Sequence, residues 1–350
     1  MTVRWALIGA SNIARQFLAP AIHSQPDGEI VAVMSADAGR ARAFAVDFAI
    51  PHACTDLDAV LRDDVDAVYV STTNELHFPQ ALAAARAGKH VLCDKPLALS
   101  LADAAAMISA CRAAGVVLAT NHHLRAAGTH RAMRVAIRRG DIGRPVAARI
   151  FQADYLPAFA QGWRVHRRDK GGGVILDRSV HGVDTLRHLL GEDPAEVTAF
   201  IQSGAMASDG IEDGAMTLIR FPSGFLATLH EGFTTPHATR GIEIDGSQGC
   251  LIGEDVMTQR PVGTVRLCNE AGETELSCDR EDLYVRGVRA LHAAFRGEGA
   301  PLATGEDGAW SLATALAALE SARTGRTVRV DPLIPPRAVG ATVQVSGASA

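Results

Sequence analysis

Apolar and polar positions divide the chain into two regions of different rhythm. Up to about residue 120, short unbroken apolar runs alternate with stretches of helical spacing. Val3 to Ile8, Ile30 to Met34, Ala67 to Val70, His90 to Cys93 and Val116 to Thr120 read as buried strands. Between them Ile13 to His23, Arg40 to Phe48 and Phe78 to Ala87 read as helices, the last stopped by Gly88. Ser100 caps a further helix with Asp103 three residues on, a capping box with Asp in place of Glu or Gln, and Gly115 ends it. Strands and helices in this alternation predict a parallel sheet with helices on both faces.

After residue 121 the pattern changes. A helix is expected over His130 to Arg139, ended by the turn Asp141-Ile142-Gly143. Alternating runs follow at Val146 to Tyr155, Glu196 to Ile201, Ala215 to Phe221, Phe225 to His230, Ile242 to Asp245 and Val262 to Leu267. With turns such as Pro222-Ser223-Gly224 they predict an antiparallel sheet covered on one face, its open face a possible homodimer surface. One helix is inserted near Ile175 to Leu190, and Leu283 to Arg296 and Asp307 to Thr324 close the domain. The expected divisions are 1–121, 122–330 and a tail, 331–350, that holds three prolines and reads as extended or disordered. There is no internal repeat.

The 350 residues are long enough for two domains. At 47% hydrophobic and 21% charged the chain can bury a sizeable core. A net charge of −5 argues against nucleic acid as a partner, because there is no basic excess to neutralise phosphates. The six cysteines form no C-x-x-C pair, and no ligand set at metal spacing is seen. The apolar stretch in Met1 to Gly9 is too short for a signal peptide, and no window is long enough to span a membrane. A reduced, cytoplasmic, soluble protein is expected. Only three of the 34 cationic residues are lysines: Lys89, Lys95 and Lys170. Lys89 reads as a surface residue past a helix cap and Lys170 as a loop residue, whereas Lys95 stands at the carboxyl end of a strand.

The first turn, Gly9-Ala10-Ser11-Asn12-Ile13-Ala14, follows a strand and opens a helix, the context of a dinucleotide fingerprint. Gly9 suits the tight turn and Ala14 close helix packing. Ser11 replaces the usual second glycine and offers a hydroxyl to a phosphate. The helix N-terminus adds amides for the same anion. An ordinary strand-to-helix turn is the alternative. The second strand ends at Ser35 where an NAD site carries an acid, and Arg40 follows. A hydroxyl with a guanidinium suits a 2′-phosphate, so NADP is favoured, while Asp37 keeps NAD open. Ser71-Thr72-Thr73-Asn74-Glu75-Leu76-His77 directly follows a strand, beyond whose carboxyl end ligands bind in such sheets, though Asn74 could equally cap a helix.

Cys93-Asp94-Lys95-Pro96 occupies a similar place. Pro96 favours an extended Lys95, which could polarise a carbonyl or donate a proton. In Gly171-Gly172-Gly173-Val174-Ile175-Leu176-Asp177-Arg178-Ser179-Val180-His181, three glycines allow close approach to a ligand. Helical spacing puts Asp177 and His181 on one face, continued by Asp184, so that the carboxylate fixes the imidazole for acid–base work. A structural Asp–His pair is the alternative.

The order of Gly-rich turn, Asp94-Lys95-Pro96 and the Gly-Gly-Gly…Asp177…His181 stretch resembles the glucose–fructose oxidoreductase/inositol dehydrogenase/rhizopine-catabolism family. The resemblance reaches to about residue 330, with Asp94 in place of the family's usual Glu. It implies an α/β fold, with an N-terminal Rossmann-type parallel sheet and a C-terminal α+β domain bearing a largely antiparallel open sheet. Further matches lie in Tyr69 to His77, Asn121 to Arg125, Gln161 to Arg164 and Gly305 to Gly308. They resemble family members that reduce the C2 carbonyl of an anhydro-keto-sugar with NADPH. By this resemblance NADP(H) contacts Gly9, Ala10, Ser11, Asn12, Ile13, Ser35, Arg40, Ser71, Thr72, Thr73, Asn74, His77, Asp94, Lys95, Asn121, Trp163, Arg164 and Tyr284. The catalytic residues would be Lys95, Asp177 and His181. His181 would protonate the alkoxide, Lys95 would polarise the carbonyl, and Asp177 would orient His181 or hold a substrate hydroxyl. At this stage either Lys95 or His181 can give the proton. The other readings are an NAD(P)-dependent dehydrogenase of inositol, a glucose-type sugar or another polyol, and a non-catalytic NADP sensor.

Overall fold

The structure, a computed structural model, describes residues 2–334, so most of the tail expected from Asp331 lies outside the described residues. In chain order the first region holds β1 (Val3–Ile8), α1 (Ala19–His23), β2 (Gly28–Met34), α2 (Ala38–Asp47), β3 (His52–Cys54) and α3 (Leu57–Val60). It continues with β4 (Ala67–Val70), α4 (His77–Arg86), β5 (His90–Cys93), α5 (Leu101–Ala113) and β6 (Leu118–Thr120). A π-type turn, Ala14–Leu18, runs straight into α1. The six strands are parallel, in the order β3-β2-β1-β4-β5-β6. The order reverses between β1 and β4, which opens a crevice beyond their carboxyl ends. Trp5, Leu7 and Ile8 of β1 and Tyr69 of β4 are fully buried, as strands covered on both faces require.

The second region holds α6 (Gly128–Arg139), β7 (Pro145–Ala153), α7 (Ala158–His166), α8 (Val180–Leu190), β8 (Glu196–Ser203), β9 (Glu212–Arg220) and β10 (Leu226–Gly232). After these come β11 (Arg240–Gly246), β12 (Gly249–Glu254), β13 (Thr264–Asn269), β14 (Gly272–Glu275), α9 (Leu283–Phe295), α10 (Gly305–Thr324) and β15 (Val328–Arg329). Nine strands form one sheet, ordered β14-β13-β12-β11-β7-β10-β9-β8-β15. Only β7 and β10 pair in parallel. Ala227, Leu229 and Glu231 alternate inward along β10, while Leu226 of the same strand is exposed.

Several elements depart from the sequence pattern. β3, α3, β14 and β15 are at most four residues long, too short to show a period. Gly263, at φ +88°, delays β13 to Thr264. Ser100 accepts the Asp103 amide at 3.1 Å, but the complete capping box belongs to Thr304 and Asp307 at the start of α10. Helices α9 and α10 do not close the second region alone. Trp5 Nε1 donates to His292 Nε2 at 3.0 Å, and Ala119 forms a bridge with Thr304. Lys89 is also not a surface residue: it is 8% exposed and donates to the Val65 carbonyl at 2.8 Å, tying α4 to the approach to β4. Lys170 lies in a short turn and pairs with Glu75 at 3.4 Å.

Candidate active site

The carboxyl ends of β1, β2, β4 and β5 open into a cleft of about 1130 Å³, which the second region roofs. At its cofactor end Gly9 holds φ +116°, and a Cβ there would meet the Ser71 backbone at 3.0 Å. Glycine is therefore required for β1 to turn beside β4. The Ser11 hydroxyl is used inside the turn rather than offered outward: it donates to Ser71 Oγ at 2.8 Å and accepts the Ala14 amide at 3.1 Å. Asn12 and Ile13 line the cleft at a helix start, and their amides meet no protein acceptor among the described residues. This is an anion cradle. Ser35 and Arg40 line the next portion. Asp37 Oδ1 accepts the Arg40 amide at 2.7 Å and so caps α2, while no carboxylate pairs with the Arg40 guanidinium among the described residues. The donors present fit an anionic dinucleotide carrying a 2′-phosphate.

Most of the expected residues converge on this cleft. Ala10, Ser71, Thr72, Thr73, Asn74, Asp94, Lys95, Trp163, Arg164, Asp177 and His181 all line it. Three do not. His77 is buried, with Nδ1 2.9 Å from the Pro96 carbonyl and Nε2 3.3 Å from that of Thr72, so it ties two loops together. Asn121 lies beneath, donating to Asp94 Oδ1 at 3.2 Å. Tyr284 is buried, stacked between Phe17 and His123 at centroid distances of 4.9 and 5.4 Å. These three support the lining rather than form it. Asn74 does not cap a helix with its side chain; its Nδ2 donates to the Gly171 carbonyl at 3.2 Å.

Lys95 stands in a cluster of charged groups. Its Nζ donates to the Asp177 carbonyl at 2.6 Å and to Asp177 Oδ1 at 3.1 Å. Arg164 Nε reaches the same oxygen at 3.2 Å, and Arg178 Nε lies 3.4 Å from Oδ2. Burial opposes the charge on Asp177, but Lys95, Arg164 and Arg178 outweigh it and hold the carboxyl well below its usual range. The expected Asp177–His181 pair does not form. Asp177, carried on the π-type turn Ile175–Ser179, gives its carboxylate to Lys95, Arg164 and Arg178 instead. His181 Nδ1 is buried with no partner among the described residues. His181 instead packs edge-on against His123 at 5.1 Å. Burial, reinforced by the charge on Lys95, holds His181 well below the imidazole range and pushes His123 down to about 3. Both rings are therefore neutral at pH 7.

The three glycines are required by the packing of the chain itself. A Cβ on Gly172 would meet the carbonyls of Arg164, Arg167 and Trp163 at 2.8–2.9 Å. Close packing of this loop on the end of α7 is what brings Arg164 to Asp177. Asp184, expected to extend the His181 face, belongs to a buried cluster. It takes two hydrogen bonds from Arg125, at 2.6 and 2.8 Å, and Arg125 also reaches Asp307 at 3.0 Å. Sequence reasoning missed Arg15, Phe17, Gln152, Arg178 and Arg240, which also line the cleft. Gln152 carried a signal, since it is a polar residue at an inward position of an alternating strand.

Fold and site together define a two-domain, NAD(P)-binding oxidoreductase. The model of the oxidoreductase family with an NAD-binding Rossmann fold, GFO/IDH/MocA, matches residues 3–122, and the family's C-terminal domain matches 130–252. The chain belongs to this family. It is 54% identical over 329 residues to 1,5-anhydro-D-fructose reductase of Ensifer adhaerens, covering 94% of this chain and 98% of that one. Myo-inositol 2-dehydrogenase of Thermotoga maritima is 28% identical, covering 88% and 93%. Among solved structures, the aldose–aldose oxidoreductase of Caulobacter crescentus superposes with a TM-score of 0.87 at 25% identity, covering 94% and 100%. A 3-ketoreductase of Actinomadura kijaniata, solved with NADP and TDP-benzene, gives 0.82 at 26% identity, covering 92% and 98%. Among the described residues no helix is long and apolar enough to cross a membrane.

Proposed function

We propose that the protein reduces 1,5-anhydro-D-fructose to 1,5-anhydro-D-mannitol with NADPH. The observation that carries this reading is the Lys95–Asp177 ion pair beside His181, in one cleft with the Gly9 turn and Arg40. The 54% identity to a reductase of that name supports the substrate. Asn12, Ile13, Ser35 and Arg40 would hold the cofactor's phosphates. When bound, the cofactor supplies a hydride from C4 of its nicotinamide to the C2 carbonyl carbon.

The chain's own residues then manage the proton. Lys95 hydrogen-bonds the carbonyl oxygen and gives it the proton as the alkoxide develops. Asp177, held ionised, keeps the ammonium aimed. His181, neutral before reaction, donates an N–H hydrogen bond to the same oxygen instead of releasing its proton. Arg164, stacked 4.5 Å from the Trp163 ring, closes the wall beside Asp177. The open face of the nine-stranded sheet, with Phe200 and Met216 exposed side by side, serves as a homodimer surface.

The test is turnover of the purified protein with NADPH or NADH against a panel of ketoses, anhydro-sugars and polyols. The expected result is the highest kcat/KM for 1,5-anhydro-D-fructose with NADPH, with the mannitol product identified by NMR. Preferential oxidation of an inositol or another polyol would replace this substrate. Tight NADPH binding with no turnover of any sugar would make the protein a sensor.

A further inference from the structure

Away from the cleft, one pair of side chains is placed for chemistry that the reductase reading does not use. In the antiparallel pairing of β12 and β13, Cys250 stands directly opposite Cys268. Opposed residues in such a ladder have Cα atoms about 4.5–5.5 Å apart, inside the span of roughly 4.4–6.8 Å that a disulfide bridges. Both thiols are free and half-buried. They lie on the open face of the sheet, since their neighbours Leu251 and Val265 point into the core. Among the described residues no other strand pairing sets two cysteines opposite one another. Cys93 and Cys111 are buried.

We propose that Cys250 and Cys268 form a redox-modifiable pair that closes to a cross-strand disulfide by exchange with a low-molecular-weight disulfide such as oxidised glutathione. One cysteine thiolate attacks the glutathione disulfide and releases a glutathione thiol. The other cysteine then displaces the second glutathione from the mixed disulfide. One S–S bond forms in the protein. The S–S bond of oxidised glutathione breaks and takes up both electrons and both protons as two thiols. Asp245 on β11 and Glu273 on β14 stand opposite the pair, and Cys268 Sγ lies 3.7 Å from Glu273 Oε2. Burial, with Asp245 beside it, pushes the Cys250 thiol up and slows its attack without altering the geometry.

The bond would clamp the base of a hairpin whose other end reaches the active site. Residues 255–263 join β12 to β13 and bring Met257, Thr258, Gln259 and Arg260 to the cleft. Closing the hairpin removes openings in which the two strands separate.

The full chain, reduced and desalted, is incubated with oxidised glutathione at alkaline pH and mapped as non-reduced peptides. The expected product is one intramolecular Cys250–Cys268 linkage, a loss of two hydrogens in mass, and a fall from six to four titratable thiols after denaturation. A reductant reverses all three changes. C250S and C268S each stop at a glutathione adduct on the remaining cysteine and retain sugar turnover. Amide exchange within 249–269 slows roughly tenfold on oxidation. Absence of the linkage in the unsubstituted protein, or a linkage between other cysteines, overturns the proposal.

Discussion

Lys95, Arg164 and Arg178 all hold Asp177, yet only one of the three is suited to releasing a proton, because guanidinium groups stay charged in proteins. That makes Lys95→Ala informative. The two arginines remain to compensate Asp177, so the variant should fold, while kcat falls about 10³-fold through loss of the proton donor. His181→Ala removes a hydrogen bond from a neutral ring and should cost less, about 10²-fold. Its pH–rate profile should keep the acidic and alkaline limbs of the parent enzyme. A larger loss in His181→Ala, with a displaced limb, would transfer the proton to His181. Lys95 was legible in the sequence because lysine is scarce in this chain and a strand end is a functional position in parallel sheets. The partner of Asp177 was not legible. Spacing arguments see only the helix they are drawn on, whereas the carboxylate is taken by Lys95 and Arg164, 82 and 13 residues away in sequence.

The junction of β2 and α2 shows how an element end can set cofactor choice. Asp37 spends its Oδ1 on the Arg40 amide, so the acid that kept NAD open is committed to capping α2. Ser35→Asp combined with Arg40→Ala should weaken NADPH by about tenfold or more and improve NADH, measured as the ratio of kcat/KM values. An unchanged ratio would remove the 2′-phosphate from this corner. A second element-level effect lies under the start of α8. Glu231 of β10 is 1% exposed, accepts the Ser179 hydroxyl at Oε2, and has no partner at Oε1 among the described residues. Burial pushes its carboxyl up to about 8. The folded protein therefore keeps this proton over a range where the unfolded chain has lost it. Stability declines as pH rises from the ordinary carboxylate range through about 8. Glu231→Gln should match the parent near pH 5 and exceed its Tm at pH 9; equal pH slopes in thermal unfolding would contradict this. β2 and β10, which flank these sites, were readable because each runs for seven residues. The three-residue β3 was not.

At the scale of the whole molecule, the sequence pattern separated two sheets but assigned α9 and α10 to the second alone. It missed their contact with the first because that contact rests on long-range pairs such as Trp5–His292, which no local period announces. The open sheet face is the remaining large-scale feature. Phe200 is 77% exposed and Met216 60%, and the two are opposite one another on β8 and β9. Leu218 and Leu226 continue the exposed apolar surface. Apolar residues standing side by side on an open sheet mark an interaction surface, and a sheet face meeting its own copy gives a self-complementary two-fold contact. The protein should run in solution at twice its 36.8 kDa, measured by light scattering. Phe200→Glu with Met216→Glu places like charges across the two-fold axis and should yield the monomer. Turnover should persist, because the cleft lies on the other side of the sheet. Cys250 on β12 is four strand spacings from Met216 on β9, about 19 Å, so the thiol exchange should proceed in the monomeric variant as in the parent. A parent protein that is monomeric at assay concentrations would leave this face without a second copy to cover it.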